Sequence, residues 1–107
     1  MTQLKERPML SVVEVAPRNE RELVIARLIP ASPEALYRCW TESRLLEQWF
    51  APKPLTTKVH QQDLRVGGVQ AITMTDPSGA EYPAGGVYLA LEPGKRVIFT
   101  SALKEGW

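Results

Sequence analysis

The chain has one cysteine, Cys39, and one histidine, His60, in 107 residues. A disulfide within the chain is therefore impossible, and nothing points to an oxidising compartment. A zinc site fails on ligand count: no second Cys or His accompanies His60, and Asp63, three residues on, falls on the opposite face of a strand. No metal and no cofactor are expected. Charge of either sign is not in excess, with 13 Lys and Arg against 12 Asp and Glu, a formal net charge of +1. That balance excludes a strongly basic nucleic-acid surface, and too few basic residues interleave with the aromatics for base stacking. No apolar run approaches the ~20 residues of a membrane-spanning helix. The opening residues Met1-Thr2-Gln3-Leu4-Lys5-Glu6-Arg7-Pro8 lack the apolar stretch of a secretory signal, so the expected location is cytoplasmic. Internal repeats and low-complexity tracts are absent.

What the chain does have is an ordinary globular composition, 44% hydrophobic and 23% charged, enough apolar surface to fold and short enough to be one marginally stable domain. Residues 1–20 read as a leader or an edge strand, with Leu10–Val15 as the strand-like part, broken by Pro17-Arg18-Asn19. Leu23–Ile29 is apolar and β-branched and reads as the first solid strand, ended by Pro30. Ser32-Pro33-Glu34 opens a helix: a hydroxyl to cap orphan amides, proline at the first helical position, an acid for the dipole. That helix runs to about Thr41. Leu36, Cys39 and Trp40 share its apolar face, flanked by Ala35 and Tyr37, with Glu34, Arg38 and Thr41 opposite. Ser43 is placed to cap a second short helix, Arg44–Phe50, stopped by Pro52 and Pro54.

From Thr56 the period changes to two. Strands are expected at Thr56–Leu64, Val69–Thr75, Ala84–Leu91 and Arg96–Leu103. Asp76-Pro77-Ser78-Gly79 carries a type I turn signature, and Glu92-Pro93-Gly94-Lys95 is a turn of the same chemistry. Gly67-Gly68 marks a bend or bulge. The pattern is an α+β domain with an antiparallel meander.

Most chemistry-bearing constellations fail. Gly94-Lys95 has Leu89 where a P-loop needs its first glycine and Arg96 where it needs Ser or Thr. Cys39 lies on an apolar helix face, where a thiol acts as a small hydrophobe. Asp63 and Arg65 flank Leu64 before the double glycine and read as a local ion pair shaping the bend. No catalytic residue is assigned. The informative group is aromatic: Trp40, Trp49, Phe50, Tyr88 and Phe99 must form much of the core or line a cavity.

In order and spacing, a set of segments resembles the activator of Hsp90 ATPase homologue 1-like family of the START/Bet v 1-like (SRPBCC) superfamily. They are Arg27-Leu28-Ile29-Pro30-Ala31-Ser32-Pro33-Glu34, Leu36-Tyr37-Arg38-Cys39-Trp40-Thr41 and Leu46-Glu47-Gln48-Trp49-Phe50-Ala51-Pro52, then Asp63–Gly68, a turn at Gly79, Gly86-Val87-Tyr88 and Pro93–Thr100. The likeness runs from about Arg21 to Leu103. It implies a helix-grip fold in which a curved antiparallel sheet wraps a long C-terminal helix around an apolar cavity. Here residues 21–107 are expected to form a partial domain of that kind, with two short helices after the first strand and no long C-terminal helix.

The resemblance implies a non-enzymatic domain that binds a hydrophobic small molecule or a protein partner, with a chaperone-related contact among the partners. Trp40, Trp49, Met74, Tyr88 and Phe99 are the expected ligand-binding positions. Two alternatives stand beside it. One is a polyketide cyclase or dehydratase-like enzyme, for which His60, Asp63 and Tyr88 are the available proton donors. The other is an interaction remnant that works only as an oligomer. Val97-Ile98-Phe99 places apolar side chains on both sheet faces, and an uncovered apolar face invites association, so a dimer is expected.

Overall fold

The computed structural model describes residues 11–12 and 15–102. The chain divides into two compact units, Met1–Ala31 and Ser32–Trp107.

In the first unit, β1 (Ser11–Val12) pairs antiparallel with β2 (Arg27–Leu28), Ser11 opposite Leu28 and Val12 opposite Arg27. The expected strand over Leu23–Ile29 is thus reduced to two residues. Strand propensity is realised only where a ladder partner exists, and among the described residues the partner is Ser11–Val12. Leu23, Ile25, Leu28 and Ile29 are exposed. The rest of the strand-like stretch Leu10–Val15 lies largely outside the described residues. Two guanidinium N–H groups of Arg18 donate to Glu22 Oε2 across the turn before β2.

The second unit opens with α1 (Pro33–Thr41). Its start follows the expected chemistry: the Ser32 hydroxyl accepts from the Ala35 N–H at 3.0 Å and proline holds the first turn. One residue departs from the helical-wheel reading. Thr41 is buried, and its hydroxyl donates to the Tyr37 carbonyl at 2.9 Å. A threonine that bonds back to the preceding turn can turn its methyl inward, so its polar label misleads.

Helix α2 (Ser43–Trp49) begins one residue early and is not capped by Ser43. Glu42 stands at the cap, supplying its carbonyl to the N–H groups of Leu45 and Leu46, with no side-chain bond. The Ser43 hydroxyl instead donates to the Gln62 Oε1 at 2.7 Å, a contact across 19 residues that local sequence does not reveal.

The remainder is a curved four-stranded antiparallel sheet: β3 (Thr56–Gln62), β4 (Val69–Thr75), β5 (Glu81–Glu92) and β6 (Arg96–Thr100), ordered as in the sequence. β4 has the expected bounds. β3 and β6 end earlier than expected: the chain leaves β3 at the Asp63–Gly68 bend, and it bends at Ser101–Ala102, with Leu103 outside the described residues. β5 is longer, because Glu81, Tyr82 and Pro83 pair with Thr75, Met74 and Thr73. The Asp76 turn closes tightly, its carboxylate accepting from the Ser78 hydroxyl and from the backbone N–H groups of Ser78 and Ala80. These bonds, led by the Ser78 hydroxyl, hold its carboxyl below the usual range. In the 92–95 turn, Gly94 at the third position has φ +71°, which makes this a type II turn rather than a second type I.

The core is small. Leu46 from α2, Val59 from β3 and Ile72 from β4 are buried, with Trp40, Phe50 and Ala84 packed against them. One helix contact reaches the open edge of the sheet: the Glu47 carboxylate accepts the Val59 backbone N–H at 2.8 Å, beside the irregularity in β3 between Val59 and Gln61.

Glycine is required at 86 by close backbone approach. A Cβ there would stand 1.8 Å from the Thr100 carbonyl oxygen. Gly86→Ala must therefore push β5 from β6, with an expected loss of about 3 kcal/mol or more in urea unfolding. Gly79→Ala, with nothing within 4 Å of the added carbon and only a positive φ against it, is expected to cost about 1–2 kcal/mol.

Candidate functional site

The site begins with the unsatisfied carbonyls at the end of α1. A helix leaves its last four C=O groups without intrahelical partners. Here two of them are met from other elements. Beyond the last regular bond, from the Glu42 N–H to the Arg38 carbonyl at 2.9 Å, the Cys39 carbonyl accepts from the Trp49 indole N–H at 3.0 Å and the Trp40 carbonyl from the Gln62 amide at 3.0 Å. The end of α1 is thereby fixed to α2 and to β3.

Gln62 extends this arrangement inward. Its Nε2 also donates to the Tyr88 hydroxyl at 3.0 Å, and the Gln70 Nε2 donates to the same oxygen at 3.0 Å. Tyr88 is fully buried and Gln70 nearly so. Gln70 Oε1 is buried without a partner among the described residues. Burial raises the Tyr88 pKa above its ordinary value of 10.0, opposed by the two amide hydrogen bonds and assisted by the neighbouring Tyr37.

Around this polar centre the aromatics meet. Trp40 and Trp49 pack edge-to-face with centroids 4.5 Å apart, Trp40 lies 6.1 Å from Phe99, and Tyr88 lies 6.5 Å from Phe99. Four of the five expected ligand-binding residues are thus brought into one cluster. Met74 is not: it stands on β4 opposite Tyr82.

An open groove of about 390 Å³ runs between α1 and the β5–β6 hairpin. Pro33, Leu36, Tyr37 and Trp40 form the helix wall; Gly94, Lys95, Arg96, Val97 and Phe99 form the other. Of the expected residues, Trp40 and Phe99 line it, Trp49 and Tyr88 stand behind it, and Met74 is elsewhere. Sequence reasoning missed Leu36, Tyr37 and Val97. Their signals were present: Leu36 shares the apolar helix face with Trp40, and Val97 alternates with Phe99 along β6.

The three proton donors weighed for an enzyme have separate partners. His60 bonds Thr73 at 2.8 Å on an exposed part of the sheet, Asp63 holds Arg65 at 2.7 Å, and Tyr88 faces the two glutamines. Among the described residues no group of His, Cys, Asp and Glu is arranged to hold a metal ion, and no helix is long and apolar enough to cross a membrane.

Comparison with known proteins gives a family match over residues 30–107, described as activator of Hsp90 ATPase homolog 1-like protein. Two solved crystal structures are similar. A Nitrosomonas europaea protein is 39% identical, with a TM-score of 0.63 over 68% of this chain and 48% of its own. A Chromobacterium violaceum protein is 37% identical, with a TM-score of 0.61 over 63% of this chain and 47% of its own. The chain spans about half the length of these relatives. No curated protein matches it.

Tyr88 supplies the prediction. Because its folded pKa is raised, its stabilising contribution is whole below about pH 10 and is lost as pH rises through the higher folded value. Unfolding free energy measured by urea titration is expected to decline above about pH 10. Tyr88→Phe leaves two buried amide donors without their acceptor. It should cost about 1–3 kcal/mol at neutral pH and remove this residue's part of the alkaline decline.

Proposed function

This chain belongs to the activator of Hsp90 ATPase homolog 1-like family, and on that premise we propose that it is a non-catalytic binding domain whose groove between α1 and β6 takes an apolar small molecule. The groove itself carries the reading. Its volume lies in the range of small-molecule sites, and its walls are mainly aliphatic and aromatic. At the ~30 Å³ that a water molecule takes up in the liquid, it has room for roughly 13 heavy atoms. Its lining contains no carboxylate, imidazole or thiol, and the two side chains in it that could exchange a proton, Tyr37 and Lys95, belong to different walls.

A second reading rests on a different surface. Val66, Leu89 and Ile98 are exposed, and the fold gathers their backbones: Gly67 and Gly68 bond to Tyr88, and Ala90 pairs with Ile98. An apolar patch of this kind favours self-association, the dimer being its simplest form.

Both readings are open to one experiment. Native mass spectrometry of the purified chain reports oligomeric mass, while its tryptophan fluorescence is titrated with dodecanol, a neutral probe. Saturable binding sensed by Trp40 is expected. Val97→Asp, which sets a charge in the apolar wall, should weaken it about tenfold or more, and Leu36→Trp should block the groove by volume. Circular dichroism establishes that each variant is folded. Binding that survives both variants, or no saturable binding, sinks the groove reading.

A further inference from the structure

The charge distribution at one mouth of the groove goes further than its apolar walls. The nine lining residues include two cations, Lys95 and Arg96, and no acid. Arg96 is committed, since its guanidinium is held by Glu92. Lys95 is exposed and has no carboxylate within ion-pair distance among the described residues. It follows Gly94 in the type II turn, so the turn places this cation at the end of the groove.

The same mouth receives the start of α1. Glu34 packs beside Gly94, its Oε2 3.5 Å from where a Cβ would stand, so the helix N-terminus lies next to the 92–95 turn. Pro33, the first helical residue, lines the groove there. The positive pole of a helix and the Lys95 ammonium thus meet at one end of an apolar slot. Glu34 opposes them from just outside the lining, and Glu92 is spent on Arg96. Lysine suits this position because its stem can lie along apolar surface while its charge stays at the rim.

We propose that the ligand is a monomeric amphiphile with a single anionic head group, its apolar body between Leu36, Trp40, Val97 and Phe99 and its head at Lys95. This rests on the small-molecule reading above and adds the polarity and direction of the bound molecule. The groove's size suits a body of about a dozen atoms, not the surface of a bilayer. Glu34 sets the limit on affinity: its carboxylate weakens the attraction of the mouth for an anion.

The test uses three probes of equal length below their micellar concentrations: dodecanoate, dodecanol and dodecylammonium, titrated by tryptophan fluorescence. Dodecanoate is expected to bind about tenfold tighter than dodecanol, with dodecylammonium weakest. Lys95→Gln should bring dodecanoate to the level of dodecanol measured on the same variant. Glu34→Gln should tighten dodecanoate a few-fold relative to dodecanol. The dodecanoate advantage should shrink as salt is raised. Equal saturable binding of dodecanoate and dodecanol overturns the anionic head while the apolar groove stands, as does an advantage that survives Lys95→Gln. Failure of all three probes overturns both. Binding to anionic vesicles with none to the monomers overturns the monomeric ligand.

Discussion

The Gln62 side chain is the joint on which the helix-bearing unit depends. Its amide nitrogen serves an orphan carbonyl of α1 and the hydroxyl of Tyr88, while its oxygen accepts from Ser43 at the start of α2. One short side chain at the end of β3 therefore addresses both helices and the third strand of the sheet. Amide groups suit this role because a single head carries two donors and an acceptor site with two lone pairs. A leucine would fill the same space, take from the Trp40 carbonyl and the Ser43 hydroxyl the bonds they have here and leave Tyr88 with Gln70 alone, and polar groups shut away without partners are expensive. The Trp49 indole performs a related service for the neighbouring Cys39 carbonyl. The end of α1 is held by directed bonds, not only by apolar contact, and this keeps the helix at a fixed distance above the hairpin.

The groove is a consequence of that spacing. Few of the described residues are fully buried, and one buried apolar cluster lies under α2, among Leu46, Val59 and Ile72. At the other side, α1 meets β6 through Trp40 and Phe99 and leaves room between them. Aromatic rings are well suited to such a wall, since they present large apolar area with little conformational freedom to lose. Tyr88 stands behind the wall with its hydroxyl tied inward. The ring belongs to the core, and its polar atom is used to hold the glutamines.

Much of the fold was legible because its signals are local. Ser32-Pro33-Glu34 announced α1, the Asp76 turn announced the β4–β5 hairpin, and alternation from Thr56 onward announced the meander. The departures have a common cause in contacts distant in sequence. Ser43 looks like a cap but is drawn to Gln62, and Thr41 looks like an outward residue but is buried. Leu23–Ile29 looks like a strand but among the described residues pairs only at Arg27 and Leu28. For the site, the aromatic cluster was readable because Trp and Phe in a small domain have few places to go. Which of them face open space was not, because that depends on how far α1 stands from β6. Met74 shares the chemistry of its companions but sits where the register places it opposite Tyr82.

The order of the sheet has a bearing on how the molecule opens. Every strand of the four-stranded sheet pairs with its immediate neighbour in sequence, so each of its hairpins closes only a short loop, at little entropic cost. The two walls of the groove are different: Pro33–Trp40 and Gly94–Phe99 come from opposite ends of the unit. Their contact closes the longest loop in it and rests on few residues. The bonds that hold α1 lie at its C-terminal end, on Cys39 and Trp40, so a fluctuation that lifts its first turn from the hairpin breaks neither them nor any strand pair, and local opening of this kind belongs to the low-energy end of native motions. Entry and exit of a molecule through such an opening would leave the sheet intact, so the meander acts as the anchored half of a clasp and the first turn of α1 as the half that yields.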